Sequence, residues 1–294
     1  MDDQLKETMS LLDEISSLYA ESIFNTIQML STIFNFMERY YEGSHSRFIS
    51  EKSEKICKAL GMNDTDIFEI KTAALLHDIG KVGMKESILY RRSNELNESE
   101  LKQYCLHPEL GNLILRKHKG FSTIAEIVYQ HHEKLDGTGF PRHLKKAEIH
   151  PGASIIHVVD YFHDAMYKKN RDQRIAIKPS AQITGSFADS FLNREVYAST
   201  MNFLHQKKGI LFERRVVELF TEILELERKN VGGKAIMRVP VNMLEPGMTF
   251  AKDYYTTYGL LIASNGEAVT EDMKSSLIRF AETEQIPMKV LVIK

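Results

Sequence analysis

The sequence predicts a mainly α protein: a helical bundle with a long N-terminal helix and a small α+β C-terminal appendix. Three observations carry this expectation. Apolar residues recur at steps of three and four from Leu5 to Tyr41, and the pattern stays mostly helical from Ser44 to about Leu226. The periodicity changes after a glycine-containing break, NVGGK, at Asn230–Lys234. Hydrophobic residues make up 43% and charged residues 27% of 294 residues, a balance that suits one large globular domain plus a smaller one. The expected divisions are a helical segment over 1–42, a main domain over 43–229 and the appendix over 235–294.

The N-terminal stripe is Leu5, Met9, Leu12, Ile15, Leu18, Ile23, Ile27, Leu30, Phe34, Met37 and Tyr41, with no Pro or Gly before Gly43. It predicts one long helix, or two in line. A stripe of this length either pairs with a second copy as a homodimer or packs its second half onto the following domain. Ser50–Leu60 and Asp64–His77 are amphipathic and are separated by Gly61 and Asn63. Leu101–Lys117 and Ser122–His132 follow as helices, and Gly137, Gly139 and Pro141 then mark a rigid loop. Ala153–Met166 and Arg214–Arg228 are the next helical runs, while Lys168–Gly185 is polar and unassigned. In the appendix, Ile236–Val241 and Gly259–Ala263 have strand character, with Pro246-Gly247 as a turn. Thr270–Ala281 is helical with Thr270 as N-cap, and Met288–Ile293 closes the chain as a strand.

Charge and cysteine content exclude several classes. Lys+Arg number 38 against 40 Asp+Glu, a net charge of −2, so no bulk basic surface points to DNA or RNA. Cys57 and Cys105 cannot form a disulfide framework, and a reducing cytoplasm is the expected location. The opening MDDQLKETMS lacks a signal-peptide core, and no uninterrupted apolar run reaches the length of a membrane span.

The chemistry lies in a set of His and Asp residues. His77-Asp78 ends an apolar helix in LLHDIGKVG, and His131-His132 opens HHEKLDGTGFP. Between them is His107 in LHPELG; upstream is His45 in GSHSRF, and downstream is Asp160 in IIHVVDYF. Adjacent His and Asp at a buried helix end are costly without partners, and metal coordination resolves that cost. Imidazole with carboxylate suits first-row divalent ions such as Fe, Mn, Zn or Ni. Five His and two Asp exceed what one tetrahedral ion needs and suit two ions, an arrangement able to clamp an in-line phosphoryl displacement. His118, His143, His150, His157, His163 and His205 lack such a pattern and are taken as ordinary histidines.

HDIGK followed by HHEKLDGTG resembles the HD-GYP family, metal-dependent cyclic dinucleotide phosphodiesterases of the HD-domain superfamily. The likeness runs from about His45 to Phe220. It implies a helical HD-domain bundle that opens cyclic di-GMP to linear pGpG and sometimes on to GMP, by attack of a metal-bridging hydroxide. It also implies a di- or trinuclear site, commonly iron or manganese. By this resemblance His45, His77, His107, His131, His132, Asp78 and Asp160 are metal ligands. Asp78 bridges two ions, and Lys81 lies near the scissile phosphate. Lys81 also suits a solvated helix end. Gly139, Phe140, Asp164, Arg171 and Arg174 fall in the substrate-binding region, and other cyclic dinucleotides come into view as substrates. Glu133 and Asp136 either order the histidines or are solvated loop charges. Trinuclear members carry a Glu one turn before the first His; here Tyr41 and Glu42 occupy i−4 and i−3, which favours two ions, iron first and manganese second. The sequence departs from the family in two further places. Phe140 replaces the namesake tyrosine, and DYFHDAM replaces DxFDAL, so that either a residue is inserted ahead of Asp164 or His163 replaces a carboxylate. These departures leave a second expectation open, a weak or inactive cyclic-dinucleotide sensor that acts on a signalling partner.

Overall fold

The computed structural model describes residues 8–12, 14, 15, 18, 22, 23, 25–27, 29, 30, 33, 38, 40, 41, 45–168, 194–231, 236–252, 254–257, 261–263 and 266–293. The main domain is built from α1 (His45–Ala59), α2 (Asp64–Leu76), the single turn α3 (Glu86–Leu89), α4 (Glu98–Cys105), α5 (His107–Leu115), α6 (Ser122–Gln130), α7 (Pro151–Tyr167), α8 (Arg194–Lys207) and α9 (Arg214–Val231). α7 is the central helix. It packs on α1, α2, α6, α8 and α9, and is buried along most of its length through Ile155, Ile156, Val158, Val159 and Phe162. A helix surrounded in this way must be apolar on nearly every side, and PGASIIHVVDYF is. The core continues through Ile49 and Ile56 of α1, Ile70, Ala73 and Ala74 of α2, Ile127 and Val128 of α6, and Val217, Phe220 and Leu224 of α9.

Local chemistry sets the helix starts. Asn63 caps α2 by accepting from the Asp66 amide at 2.9 Å. Asn97 and Glu100 form a reciprocal capping box at the start of α4. α1 begins at His45, five residues before the predicted Ser50, because Glu38 accepts from the Ser46 amide and hydroxyl at 3.2 and 2.5 Å and so caps the earlier turn. The predicted helix Leu101–Lys117 is two helices that break at Leu106. Pro108 lies in the first turn of α5, the only part of a helix that tolerates a residue without an amide hydrogen. α9 extends to Val231, so Asn230 of the expected linker is helical. α8 has no counterpart in the sequence expectations.

The described positions between Thr8 and Ile33 are helical. Ile27 is buried in the domain core with Ile23 packed against it, whereas Met9, Leu12, Ile15 and Leu18 are exposed in the single chain. Ile23, Ile27 and Tyr41 of the stripe therefore pack onto the following domain, whereas Leu30 is exposed.

The appendix holds a three-stranded antiparallel sheet. β1 (Ile236–Pro240) pairs with β5 (Lys289–Ile293), and β5 pairs on its other edge with β2 (Thr249–Phe250). Ile236 and Thr249 both oppose Ile293. β3 (Tyr254–Tyr255) pairs with β4 (Leu261–Ala263). β2 and β3 were not expected, since two residues are too few to show a period of two. Gly247 takes φ +90° in the predicted turn, and Thr270 caps α10 (Glu271–Glu282) by accepting from the Met273 amide at 3.2 Å. Leu277 and Ala281 of α10 join Phe250, Val290 and Val292 in a core of the appendix's own. Among the described residues, no helix is long and apolar enough to cross a membrane.

One buried ion pair ties α1 to α9. Lys52 Nζ lies 2.7 and 2.6 Å from the two carboxylate oxygens of Glu227, and Lys55 adds a contact of 2.6 Å. Burial pushes the Glu227 carboxyl up, but Lys52 and Lys55 outweigh it and hold it below the usual range. Glu227→Ala is expected to cost about 3 kcal/mol near pH 7, because it removes the carboxylate whose two oxygens both bond the buried Lys52. A folded-state pKa below the unfolded one gives stability that is present above the unfolded pKa and lost as pH falls through the folded value. Urea titrations should therefore show the wild type's advantage shrinking below about pH 4; an advantage that persists into stronger acid would contradict the pairing.

Candidate metal centre

Three helix ends orient three imidazoles in the same way. His77 is the C-cap of α2, and its Nδ1 lies 2.8 Å from the Ala74 carbonyl oxygen. His131 is the C-cap of α6, with Nδ1 2.6 Å from the Val128 carbonyl. His107 follows the end of α4, with Nδ1 2.6 Å from the Tyr104 carbonyl. A carbonyl can only accept, so each Nδ1 carries a hydrogen and each neutral ring keeps its lone pair at Nε2.

Those lone pairs converge. His107 Nε2 is 3.2 Å from His131 Nε2 and 3.1 Å from His132 Nε2, and His77 Nε2 is 3.0 Å from His45 Nε2. Asp78 sits between the two sets. Its Oδ1 is 3.4 Å from His107 Nε2 and 3.8 Å from His131 Nε2; its Oδ2 is 3.6 Å from His77 Nε2 and 3.7 Å from His45 Nε2. Asp160 reaches both sides as well, with Oδ1 3.3 Å from His45 Nε2 and Oδ2 3.8 Å from His132 Nδ1. His45, His77, Asp78, His107 and His131 are fully buried, and Oδ1 of Asp78 has no hydrogen-bond partner. Facing acceptors around an orphaned carboxylate oxygen are what a cation would satisfy. The donor atoms fall into two groups, Asp78/His107/His131/His132 and His45/His77/Asp78, each spanning no more than 4.8 Å, and both fit a first-row divalent ion.

The electrostatics differ between the groups. Burial drives His107 and His132 well below the ordinary histidine value and His131 to about 3. Burial also pulls His77 down, but Asp78 and Asp160 outweigh it and hold this ring at about 9. Burial raises both carboxyls, yet Lys81 and the histidines keep Asp78 ionised, and His45 and His77 do the same for Asp160.

Lys81 is buried, with Nζ 2.6 Å from Asp78 Oδ2 and 5.2 Å from the centre of the Tyr104 ring. It is not a solvated helix-end lysine. Lys168 Nζ lies 5.6 Å from the centre of the same ring and 3.7 Å from Asp164 Oδ2. α7 runs unbroken through DYFHDAM. His163 faces His45, while Asp164 accepts from the Tyr41 hydroxyl at 2.5 Å. Arg171 and Arg174 lie outside the described residues.

The HHEKLDGTGFP loop folds back over its own start. Glu133 is buried and accepts from the amides of Arg142 at 2.6 Å and Leu144 at 3.0 Å; Asp136 is exposed and accepts from Thr138. Both acids shape the loop. A Cβ on Gly139 would meet the His132 carbonyl oxygen at 2.6 Å, which is why this position holds glycine. The Phe140 ring packs 4.7 Å from the His132 ring, at the edge of the centre.

Sequence reasoning missed Glu38, Tyr104 and the contact of Tyr41 with Asp164. His163 was one of two readings of DYFHDAM, three residues after Asp160 on the same face of a helix, and Lys168 was one of the basic residues offered by KKNRDQR. Gly80 was also missed. A Cβ there would overlap the His107 carbonyl oxygen, so this glycine lets the turn after Asp78 lie against α5.

The fold and the centre define a helical protein with paired divalent-metal donor groups. The chain belongs to the HD-domain family, whose pattern matches residues 37–185, just over half of the 294 residues. It is 38% identical over 122 residues to a protein of Vibrio cholerae named 3'3'-cGAMP-specific phosphodiesterase 3, covering 42% of this chain and 26% of that one. It is 32% identical over 171 residues to a protein of Thermotoga maritima named cyclic di-GMP phosphodiesterase, covering 56% and 46%. The chain thus spans less than half the length of either relative. A solved cyclic GMP-AMP specific phosphodiesterase of V. cholerae aligns with a TM-score of 0.47 and 15% identity, over 71% of this chain and 51% of that one.

Gly80→Ala is expected to destabilise the fold by roughly 1–3 kcal/mol, since the obstacle is backbone and no rotamer change relieves it. Gly120→Ala, whose nearest neighbour is the His118 ring at 3.3 Å, should stay within about 0.5 kcal/mol. Thermal melts that rank the two equally would refute the close approach.

Proposed function

We propose that this chain is a metal-dependent phosphodiesterase that hydrolyses a cyclic dinucleotide, with cyclic di-GMP as the first candidate and linear pGpG and then GMP as products. The observation that carries it is the position of Asp78, one buried carboxylate facing two groups of histidines. The names of the relatives, for cyclic di-GMP and for 3'3'-cGAMP, support the substrate class. The count of two ions rests on the two donor groups, and iron, with manganese second, rests on the mixed imidazole and carboxylate donors together with the HD-GYP resemblance. Bound there, divalent ions supply Lewis acidity at phosphate oxygens and a nucleophile from water at neutral pH.

The chain's own residues have separable tasks in this reading. The histidines, through Nε2, and the ionised Asp78 and Asp160 would hold the cations. Lys81 offers a buried positive charge to the non-bridging oxygens of the phosphodiester, where negative charge builds. Phe140 and Tyr104 present ring faces on which a guanine base can stack. Gly139 leaves room for backbone approach, and Asp164, Arg171 and Arg174 complete the substrate region. The exposed apolar half of the N-terminal stripe serves a second copy or a signalling partner.

Phe140 also favours a second reading, a sensor that binds the dinucleotide and turns it over poorly. A missing neutral hydrogen bond is worth about 0.5–1.5 kcal/mol, at most roughly tenfold in rate, so Phe140 alone should slow turnover without abolishing it.

The test is single-turnover hydrolysis of cyclic di-GMP and 3'3'-cGAMP by protein purified without oxygen and loaded with Fe(II) or Mn(II), beside Asp78→Asn. Linear product from wild type, with loss of product and of bound metal in Asp78→Asn, is expected. Bound metal with tight dinucleotide binding and no product would replace the enzyme reading with the sensor. Lys81→Met should lower the single-turnover rate roughly 10–100-fold, the worth of a hydrogen bond to a charged group, with metal content unchanged. An unchanged rate would remove Lys81 from the phosphate.

A further inference from the structure

His45 is held differently from the three helix-end histidines of the centre. His77, His107 and His131 each direct Nδ1 at the carbonyl of the residue three places earlier, in the last turn of a helix. His45 is the first residue of α1, at the opposite end of a helix from the other three. Its Nδ1 lies instead 2.9 Å from Nδ1 of His163, 118 residues away on α7. His163 is 2% exposed and is walled by rings, with centroids at 4.8 Å for Phe48, 4.6 Å for Tyr167 and 5.4 Å for Tyr41. Tyr41 stacks on His45 itself at 3.8 Å.

We infer that His163 is a positioning residue that fixes the tautomer and orientation of His45, and so completes the donor group formed by His45, His77 and Asp78. Only one assignment of hydrogens lets His45 serve as a ligand. Nε2 of His45 faces His77, Asp78 and Asp160 at 3.0, 3.7 and 3.3 Å, so the lone pair must be there. A neutral His45 then carries its hydrogen on Nδ1 and donates to Nδ1 of His163, which must be the unprotonated nitrogen of that ring. The reverse arrangement, with His163 donating, would put a hydrogen on His45 Nε2 and close that position to a cation. Partners that hold the second nitrogen of a metal-binding imidazole are commonly carboxylates or carbonyls. Here a second imidazole takes that part, and the unbroken α7 brings it to the position three residues after Asp160.

This inference rests on the metal-binding reading of the centre and not on the identity of the substrate. Its test is metal binding by the full chain. Mn(II) affinity and stoichiometry would be measured by chelator competition and by electron paramagnetic resonance, for wild type, His163→Phe and His163→Asn. Phe keeps an aromatic ring but offers no acceptor; Asn places an acceptor oxygen near the position of Nδ1. His163→Phe is expected to weaken one of the Mn(II) sites about 10–100-fold, the usual cost of losing such a partner, and to leave the other unchanged. His163→Asn should recover most of that loss. His163→Ala is a second acceptor-free variant, and circular dichroism of the metal-free proteins shows that each is folded. Wild-type affinity at both sites in folded His163→Phe or His163→Ala would overturn the inference. So would His163→Asn as weak as those variants. Either result would leave the phosphodiesterase reading intact, whereas a wild type that binds metal without forming product would sink that reading and spare this one. A wild type that binds no Mn(II) would overturn both.

Discussion

The centre depends on one constraint: imidazole lone pairs gathered in a space from which water is excluded. An Nε2 that faces another Nε2 at about 3 Å without a hydrogen between them, as His107 faces His131 and His132, gains nothing in a metal-free protein and costs the solvation it gave up. The backbone enforces this arrangement. Each helix ends with carbonyls that have no amide partner. α2, α4 and α6 use one carbonyl in their last turns to take the Nδ1 hydrogen of His77, His107 and His131. Helix termination thus does two jobs at once. It stops the helix where the ligand is needed, and it selects the tautomer whose other nitrogen is a donor atom for a cation.

The surrounding structure brings these helix ends together. Gly80 allows the turn after Asp78 to lie against the start of α5, so that Asp78 and His107 come within 3.4 Å. Gly139 lets the loop after His132 fold onto its own backbone, and Glu133 pins that fold through two amides. α7 crosses the bundle with an apolar surface and places Asp160 and His163 on the face that meets α1. Lys81 bonds Asp78, and together they bury a pair whose partners also include the histidines. Each device is local, and each would be inert without the others.

The residues gathered at the centre were legible in the sequence because they come as short patterns. HD and HH each join two donors in adjacent positions, and their spacing in HDIGK and HHEKLDGTG is specific. The roles of Tyr41, Tyr104 and His163 were not legible, because they arise from contacts between elements that lie far apart in the chain. Tyr41 bonds Asp164 across 123 residues, and His45 meets His163 across 118. The break between α4 and α5 was also missed. Leu101, Leu115 and the residues between keep a helical spacing, so the pattern ran through the break and hid the effect of Pro108. Glu133 and Asp136 went the other way: they belong to the motif, and the structure gives them to the loop and not to the histidines. The helical class and the appendix's terminal strand were recovered from periodicity, while the two-residue strands β2 and β3 carry no period to detect.

Charge explains why the two halves of the centre are not equivalent. With every histidine neutral, Asp78 and Asp160 contribute −2 and Lys81 contributes +1, which leaves a buried excess of negative charge. Burial pushes the neighbouring Glu38 carboxyl up, while His45 and Ser46 oppose that shift. In the half that contains His77 the protein has its own remedy. Asp78 and Asp160 hold this ring at about 9, so at neutral pH it takes up a proton. That proton must sit on Nε2, since Nδ1 already donates to Ala74, and it therefore occupies the position a cation would take. Metal binding there displaces the proton and is linked to its release. The half formed by His107, His131 and His132 has no such remedy, because burial drives all three rings down and leaves Oδ1 of Asp78 unpartnered. Protons do not compete for those lone pairs near neutral pH, so only a cation from outside relieves that half. A single carboxylate thus joins one group that a proton can satisfy to another that it cannot.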